Sequence, residues 1–309
     1  MTTLSTRVVS DIDLCKELWQ EFTPNRSFYD LWDFRFEFWK VFQYTPHFIV
    51  LSDADRNVGL LPFWHVSEEK GYFWFGDIGD TNDWMEENDF WVKDPVYLKP
   101  LLAACPTPLS LVNLTKNCFK SAEGLISFQK HNPKNILNID TFKSVEDYLM
   151  TLDRKLRGNL VRDRRTIEAQ NPKIIVDQFS DFDILVQMNI SRHEGSVFKN
   201  PQIVQVFHGL ISTALEKKSF QVRMLSAYID DKPAGFDFIF IYDGVYCPLL
   251  CANDISSFSG IGNFMSLYDI KDAITLGMKK MDFAEGGENY YKNKLFPVIE
   301  QYRIELPKS

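Results

Sequence analysis

Apolar residues along this chain switch between helical and alternating spacing, and the switches outline its elements. Asp11 to Phe22 reads as a helix, and an aromatic-rich segment, Tyr29 to Phe42, places Leu31, Phe34, Phe38 and Val41 near helical spacing. Two apolar runs, Phe48–Leu51 and Val58–Trp64, then flank the polar turn Ser52–Asn57, which predicts a hairpin. A further strand, Tyr72–Phe75, follows Gly71. Val145 to Ala169 carries an apolar stripe of Val145, Leu149, Leu152, Leu156, Leu160 and Ile167, the mark of one amphipathic helix.

The hairpin grammar recurs. Arg223–Ile229 runs through Asp230-Asp231-Lys232-Pro233 and returns as Ala234–Ile241, with another strand after Gly244. Gly59 and Gly235 hold the same place in the two hairpins, as do Gly71 and Gly244 before the next strand. This order occurring twice predicts a duplicated α/β (α+β) domain, with halves of 1–139 and 140–309 and a crossover at Asn135 to Thr141.

The richest stretch is Val245 to Phe296. A short apolar run, Val245–Cys251, enters the turn Ser256-Ser257-Phe258-Ser259-Gly260-Ile261-Gly262; a helical pattern covers Asn263 to Leu276, and a second strand covers Met281–Ala284. The stretch closes with Glu285-Gly286-Gly287-Glu288-Asn289-Tyr290-Tyr291-Lys292. Glycines between a strand and a helix leave backbone N–H groups and a positive dipole end facing open space, which is a phosphate cradle. The same residues also make a plain strand-to-helix turn, since Gly-x-Gly alone is a weak signal.

Composition narrows the classes. The 309 residues include 26 Phe, 12 Tyr and 7 Trp, enough for a large core and against disorder. A formal net charge of −8 argues against broad electrostatic capture of nucleic acid. One segment runs the other way: the helix from Val145 to Ala169 carries Arg154, Lys155, Arg157, Arg162, Arg164 and Arg165, read either as a solvated face or as a face toward an anion. Cys15, Cys105, Cys118, Cys247 and Cys251 match no zinc spacing and read as buried reduced thiols. The histidines show no metal-ligand spacing either. With no apolar signal core at the N-terminus and no membrane-spanning run, the expectation is a cytoplasmic protein that binds no metal and no DNA.

The ordered set of the basic helix, Ile190-Ser191-Arg192-His193, the Asp230 hairpin, Ser259-Gly260, Asp282-Phe283 and Gly286 to Lys292 resembles the GNAT-type acyltransferase domain of Fem-like and BioF2-like proteins. The resemblance covers Val145 to Phe296 well and the first half more loosely. It implies two tandem GNAT-like folds, mixed twisted sheets flanked by helices, and acyl transfer to an amine. Two departures stand out. Ser257 holds a place where the resemblance implies Gln or Arg, and Tyr290-Tyr291-Lys292 follows its glycines with about one extra residue.

Acyl transfer requires that the donor be held, the amine deprotonated and the tetrahedral oxyanion stabilised. Ser257, Ser259, Gly260, Ile261, Gly262 and Asn263 are the candidates to hold acyl-CoA, the co-substrate the resemblance implies. Candidate bases are Asp282, Glu285, Glu288 and His193. Asp282 also reads as a residue that shapes the glycine-rich loop, and His193 as a structural or exposed histidine. Tyr291 and Lys292 are candidates to protonate a leaving thiolate or to grip a substrate anion; Tyr packing and Lys solvation is the plainer reading. Asp80, Asn82, Asp83 and Trp84 read as a polar surface loop or as part of an acceptor side.

The expected function is an N-acyltransferase moving an acyl group from acyl-CoA to an amine of a small molecule or of a cell-envelope or polysaccharide precursor, with the amine arriving in a cleft between the halves. One alternative is an aminoacyl-tRNA-dependent transferase of the peptidoglycan-bridge type, to which the Arg-rich helix would suit tRNA as partner. The other is a GNAT fold that binds without catalysis.

Overall fold

Both predicted hairpins form, and each anchors a sheet. The computed structural model describes residues 4–79, 84–286 and 291–307. The chain divides into two units, one running up to Pro133 and resuming at Glu300, the other Lys134–Ile299. In the first, β1 (Leu4–Val9) leads to α1 (Ile12–Phe22). Asp11 caps that helix by accepting from the N–H groups of Asp13 and Leu14 at 3.1 and 3.0 Å. A 3-10 turn at Phe28–Asp30 precedes α2 (Trp32–Phe42), so the aromatic segment becomes α-helical only from Trp32. Then come β2 (Thr45–Asp53), β3 (Arg56–Val66), β4 (Gly71–Trp74), β5 (Trp91–Val92), α3 (Leu98–Leu102), β6 (Leu109–Leu114), α4 (Lys116–Ala122) and β7 (Gln129–Lys130).

The second unit begins with β8 (Lys134–Asn138), in the segment expected as a crossover. The single helix expected from Val145 to Ala169 is two, α5 (Val145–Thr151) and α6 (Arg154–Glu168). Asp153 breaks the run by capping α6, accepting from the N–H groups of Lys155 and Leu156 at 2.8 and 3.0 Å. Next are β9 (Lys173–Val176), α7 (Phe182–Arg192), α8 (Pro201–Lys217), β10 (Gln221–Ile229), β11 (Lys232–Tyr242), β12 (Val245–Asn253), α9 (Ile261–Thr275), β13 (Lys280–Glu285) and β14 (Val298–Ile299). The last strand, β15 (Tyr302–Leu306), returns to the first sheet.

The two sheets share one plan. Their orders are β1-β2-β3-β4-β6-β15-β7 and, from the other edge, β9-β10-β11-β12-β13-β8-β14. In both, the fourth and fifth strands are parallel and the other neighbours antiparallel. Both hairpins carry a bulge at the same point, with Leu51 opposite Gly59 and Ser52 opposite Asn57, and Ala227 opposite Gly235 and Tyr228 opposite Pro233. The sixth place is filled by β15 in one sheet and β8 in the other. For this reason the compact units do not follow a cut at 139/140.

The units differ in the connection between the parallel strands. It holds the 15-residue α9 in the second unit and the five-residue α3 in the first. In the second sheet, α7 and α8 cover one face through Phe182, Phe207, Phe238 and Phe240. On the opposite face Ile239, Ile241 and Tyr246 pack with Leu160 and Ile167 of α6 and Ile261, Phe264 and Met265 of α9. Among the described residues no helix is long and apolar enough to cross a membrane.

α9 lies close on β11 because Gly235 has no side chain. A Cβ there would stand 2.6 Å from Asn253 Oδ1, 3.0 Å from Met265 Cγ and 3.1 Å from Ile261 Cγ1. Gly235→Ala is expected to cost about 1–3 kcal/mol through overpacking, read as a lowered Tm; an unchanged Tm would show that α9 can lift away without penalty.

Candidate functional site

The site is built where β12 ends and α9 starts. Asp254 orders the turn by accepting from Ser256 Oγ at 2.6 Å, Ser257 N at 3.2 Å and Arg192 Nη1 at 3.0 Å. The Ser256 hydroxyl first, then Ser257 and Arg192, hold the Asp254 carboxyl well below its ordinary pKa. α9 begins two residues earlier than its apolar pattern suggests, at Ile261, with Gly260 in the left-handed region at φ 92°. A Cβ at Gly260 would stand 2.8 Å from Asp163 Cβ, so α6 presses directly on this turn. Asp163 Oδ2 accepts from Asn263 Nδ2 at 2.7 Å. The expected cradle therefore has a carboxylate against its first helical turn.

Beyond the turn the parallel pair opens. β12 and β13 pair only at Val245–Lys280 and Tyr246–Met281, whereas on its other edge β13 pairs antiparallel with β8 from Lys280 to Glu285. The register of β12 on β11 shifts between Pro248 and Leu250. Pro248 has no N–H to donate, and the extra residue of a bulge leaves the ladder. Just past it Cys251 stands opposite Asp237 on β11 and is solvent-exposed, unlike Cys15, Cys118 and Cys247, which are buried; Cys105 is half-buried.

Asp237 shares the α9-facing side of β11 with Ile239 and Ile241, and is 3% exposed. The carboxyl of Asp269 on α9, also 3% exposed, lies beside it, and Asp237 Oδ2 is buried with no hydrogen-bond partner. Two buried carboxyls side by side do not both stay ionised readily. Burial raises the Asp237 carboxyl to about 7, opposed by the nearby Lys292 ammonium. Burial, then the Asp237 charge, raises Asp269 well above the ordinary range. Tyr246 Oη ties the pair to a second layer, donating to Asp269 Oδ1 at 3.2 Å or Asp272 Oδ2 at 3.1 Å. Arg223 grips Asp272 with two bonds of 2.6 and 2.9 Å. Lys292, 7% exposed, lies 5.2 Å from the centre of the Phe283 ring on β13. The cluster thus draws on β11, β12 and α9 and reaches β13 through Lys292.

The sequence candidates are distributed unevenly around this cluster. Lys292 belongs to it. Tyr291 is exposed. Asp282 is 8% exposed and is tied to the buried Lys134 Nζ at 2.5 Å and to Ala284 N at 3.0 Å, so it joins β13 to β8 and does not face the acid pair. Glu285 ends β13 opposite Lys134. Glu288 lies outside the described residues, as do Asp80, Asn82 and Asp83; Trp84 is half-buried in the first unit. His193 caps the C-terminus of α7, on the sheet face opposite Asp237, and is exposed. Ser257 and Ser259 are exposed in the turn, Ile261 is buried in the core, and Gly262 and Asn263 form the first turn of α9.

Asp237, Asp269 and Asp163 escaped the sequence reading. A signal for the first two existed: each is a lone carboxylate in an apolar run, Gly235–Ile241 and Phe264–Ile270. Nothing in the sequence pairs Asp163 with Gly260.

Comparison with known proteins agrees with this geometry. Residues 154–293 match the family model described as Acetyltransferase (GNAT) domain. No curated protein matches the chain in sequence. Among solved structures, FemX is 9% identical with a TM-score of 0.59, over 98% of this chain and 97% of that one. L-PGS from Bacillus licheniformis is 12% identical with a TM-score of 0.59, over 97% and 93%. A tandem GNAT protein from the clavulanic acid biosynthesis pathway is 9% identical with a TM-score of 0.55, over 99% and 100%. At such identities the likeness is one of fold. The chain is a mixed α/β protein with the tandem GNAT fold seen in Fem-like proteins. Its residues 154–293 are similar to the GNAT acetyltransferase domain.

Two expectations follow. Asp282→Asn removes the carboxylate charge from the buried Lys134 ammonium and is expected to cost about 3–5 kcal/mol of stability, measured by denaturant unfolding; a loss below 1 kcal/mol on that scale would argue that the pair is not structural. Asp237 has a folded pKa near 7 against an ordinary 3.8, so its protonated form is favoured by folding. Its contribution is complete below the lower value and is lost as pH rises through the upper one. The Tm difference between Asp237→Asn and the parent should therefore move in the variant's favour from pH 4 to about 7 and then level; a pH-independent difference contradicts this.

Proposed function

We propose that the chain is an N-acyltransferase that moves an acyl group from acyl-CoA to an amine of a small molecule or of a cell-envelope or polysaccharide precursor. The observation that carries the reading is the opening between β12 and β13 in a GNAT domain, with a buried acid pair and a lysine at that opening. The thioester arm lies along β12, and the amine attacks its carbonyl. A C–N bond forms and the carbonyl oxygen becomes an oxyanion, met by backbone N–H at the bulge of β12 and by the Lys292 ammonium. Collapse breaks the C–S bond. The amine's proton passes to the Asp237–Asp269 pair, whose shared proton lets it both accept and donate, and the leaving thiolate is reprotonated from it.

A second reading has the acyl group arrive as the ester of an aminoacyl-tRNA. Asp163 at the first turn of α9 favours it, because its side chain crowds the turn at Gly260 where a pyrophosphate would sit. The cations of α6 favour it as well.

Release of free thiol from acetyl-CoA in the presence of a panel of amines tests the first reading, and deacylation of aminoacyl-tRNA the second. Lys292→Ala is expected to lower the transfer rate by about 10²-fold or more, with Lys292→Arg recovering part of it. If neither donor is consumed and neither raises the Tm, the transferase reading fails and a binding role remains.

A further inference from the structure

We infer that Arg223 is a positioning residue for the acid pair: acting through Asp272 and Tyr246, it keeps Asp269 protonated and leaves Asp237 as the carboxylate that receives a proton. The inference rests on the reading of that pair as the proton carrier in acyl transfer.

The Tyr246 hydroxyl, fully buried, has one hydrogen and two carboxyl oxygens in reach, Asp269 Oδ1 at 3.2 Å and Asp272 Oδ2 at 3.1 Å. Arg223 reaches Asp272 from β10 and donates to both of its oxygens, Nε to Oδ2 at 2.6 Å and Nη2 to Oδ1 at 2.9 Å. A carboxyl gripped on both oxygens is an acceptor only, and a charged acceptor draws the tyrosine hydrogen more strongly than a neutral one. The hydrogen therefore goes to Asp272, and Tyr246 turns a lone pair toward Asp269. Two oxygens at 3.2 Å attract only with a hydrogen between them, so Asp269 Oδ1 carries one.

Asp237 has no such arrangement, since its Oδ2 is buried with no hydrogen-bond partner. The other titratable groups that reach the pair are Cys251 on β12 and Lys292 beyond β13. The Lys292 ammonium favours one negative charge in the pair, and with Asp269 protonated that charge falls to Asp237. Burial, then the Asp237 charge, raises Asp269 well above the ordinary range, in keeping with this order. A Tyr246 hydroxyl turned toward Asp269 would favour the ionised form there instead, and Arg223 is what prevents it. During transfer Asp237 takes the proton from the nitrogen that has bonded to the carbonyl. It returns that proton to the sulfur as the C–S bond breaks, and Asp269 keeps its own.

The test is an NMR titration of the full chain that follows the assigned carboxyl carbons of Asp237 and Asp269. In the parent protein Asp237 should change over near pH 7, with Asp269 still in its protonated position beyond that midpoint. Arg223→Met combined with Asp272→Asn removes the ion pair without changing the net charge. The Tyr246 hydrogen is then free to turn to Asp269, which should ionise first. Asp237 should hold its proton about ten-fold more tightly, the scale of one hydrogen bond to a charged group. The acidic limb of the thiol-release rate should move to higher pH by the same factor. Asp269 changing over before or together with Asp237 in the parent overturns the inference even if the double variant does not fold. A folded double variant whose carboxyls titrate as in the parent overturns it too, and a lowered Tm alone would make Arg223 structural. The titration needs no turnover, so absent thiol release counts against the acyl-transfer reading while the proton assignment is judged separately.

Discussion

The seating of α9 is the constraint from which the second unit follows. Two glycines permit it. Gly235 lets the helix lie on β11, and Gly260 lets α6 lie on the helix start. With α9 so placed, β13 returns parallel to β12 for only two residue pairs, while its other edge stays paired with β8 as far as Glu285. The same placement carries Asp269 onto Asp237, which burial alone would forbid as two full charges. One packing arrangement therefore sets both the opening between the strands and the charge state of the groups beside it.

The buried charges separate into two kinds. Arg223 with Asp272, and Lys134 with Asp282, pair one cation with one anion at bonding distance, and each ties two elements together. Asp237, Asp269 and Lys292 do not balance in that way. Two acids face one ammonium, so a proton remains in the cluster, and its affinity lies near neutrality for Asp237. A group of that kind exchanges protons where a structural pair does not.

Duplication leaves the two halves alike in plan and different in one connection. Both sheets have the same strand order, the same hairpin bulge and the same parallel pair. Between the parallel strands, however, the described residues of the first unit form only a five-residue α-helix. It thus lacks a long helix start beside its parallel pair, and its core is filled by aromatic rings around Trp19, Trp64 and Phe75 with Arg35 bonded to Tyr29 O, Phe75 O and Asn88 Oδ1.

The sequence by itself determined the local structure. Alternating apolar runs around Asp and Asn turns gave the hairpins, the matched Gly59 and Gly235 showed the repeat, and the glycine turn before an apolar helix marked the end of β12. Those features depend on neighbours in the chain. The break in the long basic helix was also legible in principle, since Asp153 is a capping residue, but the unbroken apolar stripe hid it. The tertiary structure alone decided the rest. β8 and β15 fill equivalent places from opposite ends of their units, Asp282 is drawn into a pair with Lys134, and Asp237 meets Asp269. Each of these depends on residues far apart in the chain, where pairing is set by register and packing and leaves no local pattern. Asp163 is the sharpest case: the helix start that looked open in sequence is closed by a carboxylate about a hundred residues away.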